Sequence, residues 1–361
     1  MQQKASKVFR VERLHSGQQY DTLCEYPAGK AANGGISVLP IFETAQRLSG
    51  VFSPPGQEGE LAVLLRELVL PYADECRIDC MGNLVVRKEG GGKRILLSCH
   101  MDTAGIMVTY ADEDGFFRFS PMGSLAPEHL QNAVVRFPNG SRGMIRCSGK
   151  AEKTADFWID TMQEGDAAAP GAAAVFDGGI SRLESGIIQG AGLFPRLSCA
   201  VLLNTLSRLG DCESDIWVVF SAQGELGYRC FKAAAWGIEP DLAIDLAYSE
   251  ATDFPGGEKH GCRIGGGVGI RRMDPGGCSS PEIVNFLEGI AKSCLIPYQA
   301  DMLEQKASGV GSIQHSRAKM GVISIPVRYR YTSAEMAAES DAAACSELML
   351  TACSGEGCFH A

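Results

Sequence analysis

The sequence predicts an α/β protein: a mostly parallel sheet flanked by helices, with a small β domain inserted into it. Three observations carry that expectation. Apolar strand-like runs alternate with helix-like stretches before residue 106 and after residue 190, the pattern of a sheet covered on both faces. Between about 107 and 190 the pattern changes to short alternating stretches separated by turn residues. The 361 residues exceed one small domain and suit a large domain with an insert. The expected division is an N-terminal arm (1–35), an α/β domain (36–106 and 191–340), the inserted β domain (107–190) and a C-terminal tail (341–361).

Taken in order, the arm has weak periodicity and ends in AGKAANGG. IFETAQRLSGVF reads as a short helix. SPPGQEG follows as a turn, with Ser53 and Pro54 as start signals for the helix EGELAVLLRELVLPYA. CRIDCMGNLVVRKEGGGKRILLSCHMD reads as two strands about a KEGGGK turn. In the insert, FFRFS, NAVVRF, GMIRC and ADFWID read as strands, and EGDAAAPGAAAVFDGG as a long loop. Beyond it, LSCAVLLNTLSRL, GYRCFKAAAWG and SPEIVNFLEGIAKSCLI read as helices. DIWVVFSA, PDLAIDLA and GVISIPVRYRY read as strands. The Ala/Cys/Gly-rich tail is expected to fray.

The bulk numbers exclude some functions. The net charge of -10 disfavours nucleic acid and anionic membranes as partners. No apolar run approaches the roughly 20 residues that span a bilayer. The first residues lack the apolar core of a secretory signal, so the cytoplasm is the expected location. The 14 cysteines are scattered, without a CxxC pair, and read as reduced thiols. RIGGGVGIRRMDPGG lacks the final glycine of a dinucleotide fingerprint and the Gly-Lys-Ser/Thr of a phosphate loop, so it reads as a turn between strands.

The chemistry-bearing residues end apolar runs, where the crevice of an open α/β sheet lies. ILLSCHMD offers His100 and Asp102, VVFSAQGE offers Glu225, and LAIDLA offers Asp245. Imidazole with carboxylates suits zinc, cobalt or manganese. Asp102, two residues past His100, is placed to orient the imidazole. A lone histidine after a strand is more often structural, and Glu225 alone could simply begin a helix. Asp245 inside a strand is less ordinary, because a buried carboxylate is costly unless paired or metal-bound.

The order of these stretches resembles the tetrahedral, deblocking or glutamyl aminopeptidase family of cocatalytic metallopeptidases, of the same clan as the zinc carboxypeptidases. The resemblance runs from about Ile36 to Glu335. SPPGQEGE is similar to the family's Ser-Gly-x-x-Gly-x-Glu, DCMGNLVV to its Asp-x-x-Gly-Asn-Leu, and HMDTAG to its His-x-Asp-x-x-Gly. GELGYRC, LAIDLA, IPYQ and SIPVRYRY follow at the family's later landmarks. The resemblance implies a zinc-peptidase (phosphorylase/hydrolase-like) sheet domain with a PDZ-like insert. It also implies dimers assembling into hollow dodecamers, and two bridged divalent metals acting on short peptides. His100 and Asp245 match ligands of one metal, Glu225 a ligand of the other, and Asp102 the aspartate that orients the histidine.

Three pinned positions depart from the family pattern. Phe194 and Pro195 stand where the bridging aspartate belongs, Gly224 where the general-base glutamate belongs, and Tyr331 where the last histidine ligand belongs. The Thr-Asp that follows a glycine pair is missing from KASGVGSIQHS, and nearby His315 has no spacing that makes it a substitute. Two dications held close together repel strongly, and a shared carboxylate normally offsets that. The expectation is therefore one weakly bound zinc, cobalt or manganese ion, or none. Loss of a general base alone costs about 10²–10⁴-fold. The expected protein is a catalytically inactive or strongly impaired family member that binds a peptide, small molecule or partner in the old cleft, as a dimer or larger homo-oligomer. The alternatives are an active single-metal hydrolase with Glu225 as base, and a structural subunit of an oligomeric peptidase.

Overall fold

The structure is a computed structural model and describes residues 37–161, 169–257, 261–304 and 318–354. The arm at 1–35, the stretch KASGVGSIQHS with His315, and residues 355–361 lie outside the described residues.

Nine strands form the main sheet among the described residues. They are β1 (Glu75–Ile78), β2 (Leu84–Lys88), β3 (Arg94–His100), β12 (Asp215–Ser221), β13 (Leu242–Glu250), β14 (Val268–Asp274), β15 (Gly277–Cys278), β16 (Tyr298–Met302) and β17 (Lys319–Val327). Their order is β1-β2-β12-β3-β13-β17-β14-β15, with β16 beside β14. Only the centre, β12-β3-β13-β17, is continuously parallel. β1, β2, β14 and β15 add antiparallel pairings on the two sides, so the sheet is mixed rather than mostly parallel. The parallel strands are apolar along nearly their whole length because both faces are covered. Leu97, Cys99, Ile244 and Ile323 face a core shared with α1 (Ile41–Ser49), α2 (Gly59–Val69) and α4 (Leu193–Arg208). Leu96, Ala243 and Val322 face the opposite side, under Phe231 and Ala234 of α5 (Arg229–Ile238).

Several local expectations needed correcting. CRIDCMGNLVV is two strands, because Asp79 Oδ1 accepts the Met81 and Asn83 N–H groups and Gly82 takes φ +88°, turning β1 back onto β2. The strands on either side of KEGGGK do not pair, since β12 lies between them. α2 starts at Gly59, and Ser53 does not cap it. Its hydroxyl instead accepts from Arg196, at 2.7 Å.

The middle of the chain forms a small closed barrel in the order β4-β5-β8-β7-β6-β9. Its strands are β4 (Gly105–Ala111), β5 (Phe117–Met122), β6 (Val134–Arg136), β7 (Arg142–Cys147), β8 (Phe157–Asp160) and β9 (Ala173–Phe176), with the short α3 (Pro127–Leu130) between β5 and β6. β9 comes from the AAAVFDGG tract expected to be loop; small apolar side chains suit the crowded seam between β4 and β6. β10 (Ser181–Arg182) and β11 (Ile187–Gly190), expected inside the insert, pair instead with β18 (Glu335–Ala338) near the C-terminus.

The tail does not fray at 341–353. These residues form most of α7 (Glu339–Cys353), which follows α6 (Pro281–Ser293) in chain order and buries Leu348, Met349 and Cys353. Its alanines and cysteines are small core residues packed on α4, not the mark of a loose end. Among the described residues no helix is long and apolar enough to cross a membrane.

Candidate functional site

β3 ends at His100, and parallel register sets it beside Ser221 at the end of β12. On the other side of β3, Ser98 is opposite Asp245 of β13, and its hydroxyl donates to Asp245 Oδ1 at 2.6 Å. His100, Asp102 and Asp245 are all buried.

Asp102 is the clamp. Its Oδ1 accepts the Gly224 N–H at 2.7 Å and its Oδ2 the Glu225 N–H at 2.9 Å. Nδ1 of His100 lies 3.0 Å from the Asp102 carbonyl oxygen and 3.3 Å from Oδ1. Burial pulls the imidazole towards its neutral form, but the Asp102 hydrogen bond and the charges of Asp102 and Glu225 outweigh it, raising the His100 pKa.

The turn after β12 is held from two more directions. Gln223, at φ +53°, donates its N–H to Glu58 Oε1 at 2.8 Å. Asn83 accepts the Ala222 N–H and donates to the Cys230 carbonyl. The turn leaves no room at Gly224: a Cβ there would lie 2.2 Å from His100 Cβ and 3.2 Å from Asp102 Oδ1.

Glu225 is committed to protein donors. Its Oε1 accepts Arg330 Nη2 at 2.8 Å, and its Oε2 accepts the Tyr331 hydroxyl at 3.2 Å. Arg330 also bonds Glu335 through Nη1. Glu335 in turn accepts the Tyr331 N–H at 2.9 Å and the Phe194 N–H at 3.0 Å. Three rings surround the Arg330 guanidinium, with Tyr331, Tyr248 and Phe194 centred 4.3, 5.0 and 5.2 Å from its carbon. Phe194 reaches this place because α4 begins at Leu193, and Pro195 is tolerated because first-turn N–H groups have no intrahelical acceptor. The Phe194 ring also lies 5.5 Å from the His100 ring. Tyr331 takes φ +70°, a left-handed conformation uncommon for a bulky residue, and its ring joins the barrel core.

Arg196 serves the same corner differently. It is buried and donates to the carbonyls of Met101 and Val51 and to Ser53 Oγ, tying the SPPG turn to the end of β3. Burial among neutral acceptors lowers its pKa to about 10. A cavity of about 200 Å³ opens beside it, lined by Thr103, Gly192, Arg196, Arg330 and Glu335 and, from the barrel, Arg136.

The structure therefore brings His100, Asp102 and Glu225 into one cluster, with Asp245 a strand away, and places Phe194, Gly224 and Tyr331 among them. It does not assemble a metal cage: among the described residues no three His, Cys, Asp or Glu side chains are grouped to hold an ion. Sequence reasoning passed over Arg330, Tyr248 and Glu335. The available signal was the second arginine of RYRY, a charge just past the end of a buried strand with a glutamate, Glu335, five residues on.

A family model described as M42 glutamyl aminopeptidase matches residues 82–348. A relative from Acetivibrio thermocellus that carries an aminopeptidase name is 33% identical over 313 residues, covering 83% of this chain and 94% of its own. Among solved structures, an aminopeptidase from the archaeon Desulfurococcus kamchatkensis is 28% identical, with a TM-score of 0.82 over 87% of this chain and 94% of its own. The TET1 peptidase of Pyrococcus horikoshii, described as assembling into a tetrahedron or a large octahedral shell, is 22% identical and shares the fold, with a TM-score of 0.78 over 87% of this chain and 99% of its own.

Proposed function

Since this chain belongs to the M42 glutamyl aminopeptidase family, we propose that it is an aminopeptidase-like protein that holds a peptide or small molecule in the family's cleft and cleaves it poorly or not at all. The observation that carries this reading is the contact between Gly224 and His100. The position that resemblance gives to the general base has no side chain, and the 2.2 Å approach to His100 Cβ leaves no space for one. The neighbouring carboxylate, Glu225, is held by Arg330 and Tyr331. Among the described residues, neither Gly224 nor the paired Glu225 supports proton abstraction from water.

The family is metal-dependent, and the described donors of this chain do not fit a two-metal centre. His100 and Asp245 are short of the three protein ligands typical of catalytic zinc, and Phe194 and Tyr331 supply no donor in place of the family's acid and histidine. At most one divalent ion would be held, weakly. Purified protein loaded with zinc, cobalt or manganese should turn over a panel of aminoacyl-p-nitroanilides at background rate. Robust turnover that is lost on His100→Ala would overturn the reading.

A second reading is favoured by the aminopeptidase names of the relatives. In it the chain is an active hydrolase with a single metal and Glu225 as base. It requires Glu225 to leave Arg330, and elemental analysis finding no bound transition metal after loading would rule it out.

We also propose that the barrel is the PDZ-like insert of the family, that the protein works in the cytoplasm, and that it forms a homo-oligomer. The last is supported by the shells of the TET1 peptidase. Light scattering giving only a monomer at micromolar concentration would count against an oligomer, whether ligand-binding or purely structural.

A further inference from the structure

We propose that the guanidinium of Arg330 is an internal cation that takes over, by covalent attachment, the charge the family resemblance assigns to bound metal. The inference rests on the reading of the site as non-metallopeptidase, and deepens it by naming what replaced the ion.

The contacts of Arg330 include two of the altered positions, Phe194 and Tyr331, and one retained position, Glu225. Glu225, which resemblance makes a metal ligand, accepts Nη2 at 2.8 Å. Phe194 and Tyr331, which replace a bridging acid and a histidine ligand, present rings 5.2 and 4.3 Å from the guanidinium carbon. Tyr248 adds a third ring at 5.0 Å. These substitutions are one change of chemistry. A dication needs carboxylate, imidazole or thiolate donors around it. A planar guanidinium needs carboxylates at its edge, where its N–H groups point, and aromatic surface on its faces. Residues 194, 225, 248, 331 and 335 supply that second set.

The charges require such a partner. The side chains of Glu225 and Glu335 are 4% and 1% exposed, and Arg330 is 4% exposed. Two buried carboxylates with no cation would be strongly destabilising. Burial opposes the charge on Arg330 as well, but Glu335, Tyr331 and Glu225 outweigh it and the guanidinium stays protonated. Glu335 links this pair to the fold, since it also accepts the N–H groups of Phe194 and Tyr331. The site is thus assembled by the chain itself, with a buried guanidinium where the family resemblance would put an ion.

The test compares the full-length wild type with Arg330→Gln, Glu225→Gln and the double variant. Thermal unfolding is followed in EDTA and in added zinc, manganese and cobalt, and bound metal is measured by elemental analysis. The wild type should keep the same Tm, within about 1 °C, in chelator and in metal, and should carry no stoichiometric ion. Arg330→Gln should lose on the order of 5–10 °C, because it strands two buried carboxylates, Glu225 and Glu335. Adding Glu225→Gln should recover part of that loss, the remainder belonging to Glu335, which stays without its cation. If Arg330→Gln fails to fold, a folded double variant still supports the proposal; if neither folds, the wild-type metal measurement decides. Stoichiometric metal with a matching rise in Tm would overturn the proposal, as would equal losses in the single Arg330 variant and the double variant. Peptidase turnover that survives EDTA would sink the proposed function while leaving this inference standing.

Discussion

Gly224 sits against His100 so closely that a Cβ on the glycine would lie 2.2 Å from the Cβ of the histidine. The contact is enforced from below, because Asp102 draws in the Gly224 N–H at 2.7 Å while lying within 3.3 Å of the imidazole. Gly224→Ala should therefore cost about 1–3 kcal/mol, as overpacking does, and Gly224→Glu more. Restoring the family's acid at this single position should produce no peptidase activity. Urea unfolding and a p-nitroanilide assay check both statements; a glutamate variant as stable as wild type would show that the turn is freer than the structure says.

Asp102→Ala removes the acceptor of two backbone N–H groups, at Gly224 and Glu225, in a fully buried setting. The loss should be on the order of 2–4 kcal/mol, since each orphaned donor carries its desolvation cost. Asp102→Asn should recover part of it, because one of its two terminal atoms remains an acceptor. Chemical denaturation measures this, and a loss below about 1 kcal/mol for the alanine would mean that the turn is held by Glu58 and Asn83 alone.

The two roles of Tyr331 can be separated. Tyr331→Phe keeps the ring beside Arg330 and drops the 3.2 Å hydroxyl bond to Glu225, so it should cost about 0.5–1.5 kcal/mol. Tyr331→Ala also opens the barrel core and should cost about 3–5 kcal/mol. Equal effects of the two would assign the whole contribution to the hydroxyl.

Asp341 predicts a pH dependence. It accepts N–H from Gly265 and Gly267, yet burial raises its pKa from 3.8 to about 6. A carboxyl whose folded pKa lies above its unfolded value favours folding in its protonated form. That contribution is complete below about pH 3.8 and is lost as pH rises through about 6. Asp341→Asn does not titrate, so the stability of wild type minus that of the variant should fall from pH 4 to pH 7 and level off above it. A difference that grows over this range would show the carboxylate to be favoured when ionised.

Much of the site could be read from residue order, and the unread part has one physical character. His100, Asp102, Glu225 and Asp245 could be picked out because each ends or interrupts an apolar run, a purely local signal. Arg330 could not, because only one of its carboxylates, Glu335, is near in the chain, and the other, Glu225, is 105 residues away. The tail was misjudged for a related reason. Alanine and cysteine signal a loose end only when nothing packs on them, and the partner of α7 is α4, distant in the chain.

By itself the sequence determined the succession of strands and helices and the absence of an acid at 194, 195 and 224, because hydrophobic period and side-chain identity are properties of short segments. Only the tertiary structure decided that β12 enters between β2 and β3, that Gly224 has no room for a side chain, and that a guanidinium lies among the replaced ligands. Those outcomes depend on which distant surfaces meet and how buried charge is balanced there, and both are settled by packing across the whole fold.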